Sequence, residues 1–424
     1  MKRYLLLVIL ILVFLSSSIL SQRLNSVQDN VTLEGRWANG YCAATAVSGT
    51  VCYFGSNKYF EIVDFSTPSS PTELGKLELS DINTITDIFL NGNYAYVTNE
   101  WNGLRIIDIS NSNAPVEVGY FPSDDLALGV FVDGNYAYFA NDMAGLRILD
   151  ISDPANPTEV GHFEAEGNTE GVFVEGHYAY LANGDYGLRI LDISNLASPV
   201  EVSIFPTGSY SFNVVVDGSY VYIADGDDLY VLDITNPSAP TEAGYLCTGG
   251  YYQDVVVDGS YAYLANGSDG LLIADISDLT DIKEAGSFDT DESAVKISVE
   301  GSQVYLADRS DGLYVLKSNI ATGVENDNSS IPENYSLSQN YPNPFNPATT
   351  IKYSIPAIET GHALSVRLVV YDILGREITT LVNAQQNPGN YEVIFDAKDL
   401  GSGIYFYKLN AGSFSNTKEM ILLK

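Results

Sequence analysis

The sequence predicts an all-β protein: a seven-bladed β-propeller closed by its N-terminal strand, followed by a small C-terminal β-sandwich. Three observations carry that expectation. A Gly followed closely by an aromatic-rich run recurs at Gly49, Gly92, Gly134, Gly176, Gly218, Gly259 and Gly301, in steps of 41 to 43 residues. Each step holds four short β-rich runs separated by turn residues, and no useful length has a helical period. The array is also offset. An outer-strand text, Val31 to Trp37, precedes the first inner text, and the last unit stops after its third run at Leu316.

Each run has its reason. A short apolar strand such as Val172-Phe173-Val174-Glu175 comes before the Gly, and an aromatic strand such as Tyr178-Ala179-Tyr180-Leu181-Ala182 follows it. After an Asn/Asp/Gly turn come a third strand, such as Gly187 to Ser194, and a Pro-containing turn. A fourth run, such as Pro157 to Phe163, completes the unit. Four strands per step is the length of a propeller blade, whereas helix-pair solenoids of this length need a period near 3.6. The offset makes the N-terminal strand complete the last blade, which leaves no open sheet edge. The propeller is placed over residues 31–319.

The repeated residues read first as structure. An Asp ends the third strand in six units, where its carboxylate can accept backbone N–H groups of the following turn. The Tyr-x-Tyr pairs put two rings on one strand face, suited to packing between blades; stacking on carbohydrate would need them exposed. The turns Asn183-Gly184-Asp185-Tyr186-Gly187, Asp225-Gly226-Asp227-Asp228 and Asn266-Gly267-Ser268-Asp269-Gly270 are rich in oxygen ligands. Tight turns require the same residues, and no EF-hand spacing appears. No cofactor is expected; weak Ca²⁺ sites are the alternative for these turns.

This text resembles the LVIVD-repeat family. The matching residues are Ile62-Val63-Asp64, Leu104 to Asp108, Leu146 to Asp150, Leu188 to Asp192, Leu229 to Asp233 and Leu271 to Asp275. The seventh copy departs, with Lys317 in place of Asp after Leu313-Tyr314-Val315-Leu316. The resemblance implies a propeller and often a cell-surface setting, and no reaction.

Composition narrows the function classes. The chain has 424 residues, 54 acidic against 20 basic side chains, and a net charge of −34. So acidic a molecule repels nucleic acid and anionic lipid. Three Cys and three His leave no disulfide framework and little for zinc or haem. Cys42 and Cys52 flank a turn expected at Ser48-Gly49, with Val47 facing Thr50. That register puts the two thiols on opposite faces, and all three Cys read as small packing residues. Lys2 and Arg3, the apolar run Tyr4 to Leu15 and the Ser-rich stretch to Ser21 have the order of a secretory signal, over residues 1–21. A retained N-terminal anchor is the alternative there. No later segment is apolar enough to span, so no integral membrane segment is expected in the mature chain.

Binding specificity is expected where the units differ, in the links from each outer strand to the next inner strand. On a propeller these gather around one mouth of the central channel. Aligned at the start of the inner strands are Ala44, Asp87, Gly129, Gly171, Asn213, Asp254 and Lys296. Asp87, Asn213, Asp254 and Lys296, with Tyr210, Tyr251 and Tyr252 nearby, form a candidate polar and aromatic rim. The plain alternative is a solvated face. His162 falls in an outer strand, His177 in a hairpin turn and His362 outside the propeller. No metal spacing, Gly-x-Ser-x-Gly or phosphate loop appears, so no catalytic residue is assigned. A carboxylate pair at the channel mouth is the alternative, hydrolytic reading.

Composition changes after Leu316. Residues 320–339 read as a linker and 340–424 as a separate β-sandwich domain. Residues 31–330 carry 45 acids and 10 bases, and 331–424 carry 8 and 7. Strands are expected at Thr350 to Ile355, Ser365 to Asp372, Tyr391 to Phe395, Gly403 to Leu409 and Lys418 to Leu423. The wording resembles the type A C-terminal sorting domain of the type IX (Por) secretion system. It does so through Tyr341-Pro342-Asn343-Pro344-Phe345-Asn346-Pro347, Leu374-Gly375-Arg376, Gly389-Asn390-Tyr391, Ser402-Gly403-Ile404-Tyr405 and Lys418-Glu419-Met420-Ile421-Leu422-Leu423-Lys424. The resemblance implies the type IX machinery as partner, transit of the outer membrane, and release or surface attachment. The expected function is therefore non-catalytic recognition of a protein or polysaccharide by a secreted or surface protein.

Overall fold

The computed structural model describes residues 27–28, 30–38, 40–79, 84–123, 125–320, 335–340, 343, 345, 347–356, 364–373, 376–386, 389–398, 400–411 and 414–422. The leader expected over 1–21 and most of the linker expected over 320–339 lie outside them. The described chain is β throughout except for a 3-10 turn at Leu279–Asp281. It divides into two compact units, residues 1–323 and 324–424.

Among the described residues the first unit holds seven antiparallel sheets. The sheet of Gly171–Glu175, Tyr178–Ala182, Leu188–Asp192 and Val200–Phe205 shows the common order, each strand beside the next in sequence. The short first strands of successive sheets lie side by side, and Lys296–Glu300 of the last also lies beside Thr45–Ser48 of the first. That last sheet takes its fourth strand from far away in sequence. Val31–Trp37 pairs antiparallel with Leu313–Ser318, Leu33 opposite Leu316 and Trp37 opposite Leu313. Val27–Gln28 adds a further edge strand.

Sheets pack face to face through the Tyr at the third position of each aromatic strand. Tyr138 lies in a core with Val172, Ala179 and Leu181 of the next sheet, and Tyr180 in one with Val214 and Val221. Tyr305 of the last sheet packs with Cys52 and Phe54 of the first. These rings are buried, so the Tyr pairs serve the interior, as their alternation on the strand implies.

The outer strands carry a bulge where they meet the third strand, between Ile148/Leu149 and Ile190/Leu191 for example. A Gly follows the shift for a steric reason. A Cβ on Gly161 would stand 1.8 Å from the Leu196 carbonyl oxygen in the turn of the next sheet, and one on Gly119 1.9 Å from that of Pro154. Gly35 meets Pro68 of the first sheet in the same way, at 1.9 Å. Ser203 replaces the Gly in one sheet, and its hydroxyl donates to the Pro237 carbonyl at 2.7 Å.

Several local expectations are corrected. Val47 pairs with Cys52 and Ser48 with Val51, so the turn is Gly49-Thr50 rather than Ser48-Gly49. Gly49, at φ 61°, tolerates the left-handed backbone that this two-residue turn needs. All three thiols are free; Cys42 and Cys52 are buried, but Cys247 is exposed and is not a packing residue. The turn expected at Asp225 to Asp228 lies within one continuous strand, Tyr220–Asp233, in which Gly226 pairs with Tyr252. This unit is one residue shorter than its neighbours, and the saving comes from that turn.

The second unit has two sheets. Ser336–Leu337, Ala348–Ile355 and Gly389–Asp396 form one, and Glu377–Gln386, Leu364–Asp372, Gly403–Ala411 and Phe414–Leu422 the other. Ile351, Tyr353 and Phe395 of the first share a core with Leu368, Tyr407 and Met420 of the second. Glu377–Gln386 was not expected as a strand. Its Asn-Ala-Gln-Gln end is polar and lacks alternation, and its pairing with Leu364–Asp372 is what orders it.

Candidate functional site

Asp87, Gly171, Asn213, Asp254 and Lys296 open inner strands, Ala44 and Gly129 immediately precede theirs, and here adjacent strands come very close. A Cβ on Gly171 would lie 2.6 Å from Asn213 Oδ1 and 3.0 Å from the Phe212 carbonyl oxygen. Four of the expected residues meet in one network. The Lys296 ammonium lies 3.2 Å from Asp87 Oδ1 and 3.8 Å from Asp254 Oδ1. Ala44, small and fully buried, stands at the corresponding position of the sheet between Lys296 and Asp87. Asn213 Nδ2 donates to Asp254 Oδ1. The second oxygen of each acid accepts an amide of the next inner strand, Val130 N–H on Asp87 and Ile297 N–H on Asp254, both at 2.9 Å. Burial disfavours the ammonium, but Asp254 and Asp87 outweigh it and hold the Lys296 pKa above its ordinary value. These four side chains are occupied with one another, and their ion pairs and hydrogen bonds tie sheets together.

The aromatic residues divide. Tyr210, Phe212 and Tyr251 form a chain of rings with centroids 4.8 and 5.3 Å apart. Tyr251 is 46% exposed. Tyr252, expected on the same rim, is fully buried between sheets, with its hydroxyl on Thr248.

Tyr210 leads to two residues that sequence reasoning missed. Its hydroxyl donates to Glu170 Oε1. Burial pushes the Glu170 carboxyl up to about 7; the Tyr210 hydrogen bond opposes the shift and the Asp142 charge adds to it. Asp142 is buried, and its Oδ1 has no hydrogen-bond partner. Its backbone is bridged to Thr169, next to Glu170, by two amide hydrogen bonds of 3.1 and 2.9 Å. A sequence signal existed for both. Glu170 is the acid in a column otherwise made of Ala43, Thr86, Leu128, Phe212, Gln253 and Val295. Asp142 takes φ 46° at a position that is Gly in the turns at 184, 226 and 267.

The Asn- and Asp-rich turns hold neighbouring loops. Asn183 Nδ2 donates to the Glu166 carbonyl at 2.6 Å, Thr207 Oγ1 donates to Asp225 at 2.6 Å, and Asn266 Oδ1 accepts the Tyr251 amide at 2.8 Å. Among the described residues no group of three or more His, Cys, Asp or Glu stands close enough to hold a metal ion. The repeated Asp behaves as its position implies. Asp64, Asp108, Asp150, Asp192 and Asp233 each accept the amide two residues on at 2.8 Å, and Asp275 does so at 2.9 Å.

In the second unit, Asn343 Oδ1 accepts the Ile421 amide and the Phe345 amide donates to the Ile421 carbonyl, both at 2.9 Å. Phe345 and Met420 are buried in its core and Lys418 is half-buried. The two ends of the sorting-type motif therefore latch to one another. Tyr341, Pro342, Pro344, Gly375 and Lys424 lie outside the described residues.

Comparison with known proteins fits this architecture. The LVIVD repeat model matches six times, over residues 39–78, 84–122, 126–165, 166–207, 208–248 and 249–290. The matched ranges end at residue 290, before the seventh unit, which has Lys317 where the other units have Asp. A secretion system C-terminal sorting domain matches residues 339–423. Comparison with the curated proteins finds no match. Among solved structures the chain is similar to the β-propeller domain of Cps50 (Swd1) from Myceliophteria thermophila, at 11% identity and TM-score 0.55, covering 68% of this chain and 99% of that one. It is also similar to a chain of the mitotic checkpoint complex, at 10% and 0.56, covering 69% and 94%. The computationally designed Ika8 protein aligns at 12% and 0.52, covering 68% and 99%. At such identities the likeness speaks for the propeller fold alone. The chain belongs to the LVIVD-repeat family and carries a secretion-system C-terminal sorting domain.

Proposed function

We propose that this protein is a secreted or cell-surface recognition scaffold without catalytic activity. In this reading a seven-bladed propeller closed by its N-terminal strand presents one channel mouth to a ligand. A C-terminal β-sandwich takes it through the type IX secretion machinery. The observation that carries the reading is the division of labour at the mouth. Lys296, Asp87, Asp254 and Asn213 satisfy one another, while Tyr210, Tyr251 and Glu170 stand at a partly exposed, chemically varied rim. Closure is supported by the pairing of Val31–Trp37 with Leu313–Ser318 and by the Gly35–Pro68 contact, which repeats that of the other outer strands. The sandwich is supported by the core that its two sheets share.

A glycan array, a panel of immobilised proteins and a panel of chromogenic substrates test the reading together. Binding without turnover is expected. The hydrolytic alternative would use Glu170, whose raised pKa suits a general acid, with Asp142. Turnover abolished by both Glu170→Gln and Asp142→Asn would favour that alternative. For the tail, a chain lacking residues 418–424 should stay in the periplasm; normal surface display would overturn the assignment.

A further inference from the structure

The mouth contains two pairs of carboxylates, one buried and one half-buried acid in each, treated differently by the molecule. Asp87 and Asp254 receive an internal ammonium from Lys296. Glu170 and Asp142, on neighbouring sheets, have no basic side chain within ion-pair distance among the described residues. Asp142 Oδ1 is buried without any donor, although the Asp142 charge is close enough to act on both Glu170 and Tyr210. A buried carboxylate oxygen lacking a donor is costly, and a cation is what relieves it.

The surroundings suit a cation carried on a chain. Tyr210 adjoins Glu170 and the Phe212 and Tyr251 rings continue from it, and aromatic faces attract guanidinium and ammonium groups. Turns bridged to the links at this mouth carry Trp101, Met143 and Tyr186, exposed by 58%, 70% and 40%. Aromatic and thioether side chains beside acids that lack a basic partner form a surface for a basic peptide, and residues 31–330, with 45 acids to 10 bases, supply a long-range field that attracts one.

We propose that the part of the mouth formed by Glu170, Asp142, Tyr210 and Tyr251 receives an arginine or lysine side chain from a basic segment of a partner protein. The proposal rests on the recognition reading above and names its ligand class.

Calorimetry of the purified full chain with octa-arginine, at roughly physiological ionic strength where distant charges are screened, tests it. Octa-arginine should bind, octa-glutamine should not, and free arginine amide should compete only weakly. Glu170→Gln and Asp142→Asn should each weaken octa-arginine about tenfold, the loss of a charge-assisted contact. Asp217→Asn, which removes the same charge from the other end of an inner strand, should leave it unchanged. Equal loss in all three variants, or none in the first two, overturns the site. Free arginine amide binding as tightly as the peptide overturns the peptide partner.

Carbodiimide coupling of octa-lysine to the unsubstituted chain needs no variant to fold. Attachment at Glu170 supports the site, and attachment only elsewhere overturns it. A glycan-array hit with no affinity for octa-arginine would overturn this proposal and leave recognition standing; turnover without binding partners would overturn recognition itself.

Discussion

A carboxylate in this protein does what its neighbours dictate. The six repeated Asp side chains each receive hydrogen bonds from the Ser or Thr two residues on, and these hold their pKa values below the ordinary carboxylate range. For an acid with a depressed folded pKa, the stabilisation is present above the unfolded value of about 4 and is lost as pH falls through the folded value. Acid unfolding should therefore begin below about pH 4, and Asp192→Asn should shift the midpoint of an acid titration upward. Glu170 has the opposite sign. Its folded pKa of about 7 lies above the unfolded value, so its ionisation costs stability progressively from about pH 4 to neutrality. Glu170→Gln should raise Tm by a few degrees at pH 8 and change little at pH 4. Lys296→Met leaves buried Asp254 and half-buried Asp87 without their counter-charge and should destabilise by about 3 kcal/mol, read from urea unfolding.

At the scale of the element, the sheets are joined by backbone contacts that forbid side chains. Gly161→Ala would drive a Cβ into the Leu196 carbonyl. Overpacking of this kind costs about 1–3 kcal/mol and more where backbone must move. Ser203→Gly in the neighbouring strand loses only the bond to Pro237 and should cost about 1 kcal/mol. The contrast is measurable by thermal denaturation of the two variants side by side. This scale was also the most legible in the sequence. Strand alternation placed Tyr96, Tyr138 and Tyr180 inside, and the Asp before each turn announced its own hydrogen bond. Legibility failed where pairing partners decide the outcome. The Cys42–Cys52 segment slipped because a two-residue turn at Gly49-Thr50 and one at Ser48-Gly49 look alike in composition. Glu377–Gln386 has no amphipathic signal of its own and is ordered by the strand beside it. At the mouth the alignment of inner strands found Asp87, Asp254 and Lys296, but not that they pair with one another, because Lys296 reaches past Ala44 to do so. Tyr252 and its neighbour Tyr251 alternate in direction, so the two could not share one rim.

For the whole molecule, charge and closure are the governing facts. A net charge of −34 favours basic partners and makes association with them depend on salt. The proposed ring has no cost-free opening, because its last sheet is completed by residues near the other end of the unit. Removing residues 27–37 should expose the Leu313–Ser318 edge and lower Tm well beyond any single substitution above, with aggregation as the visible consequence. The most direct test joins the two strands covalently. Thr32 and Lys317 are opposite one another in register, at a spacing that antiparallel partners share with disulfides. In a Cys247→Ser background, the double variant Thr32→Cys/Lys317→Cys should form an intramolecular disulfide in the folded monomer under mild oxidation. Thiols that remain free in the folded monomer, or that cross-link only between chains, would contradict closure and with it the mouth on which recognition depends.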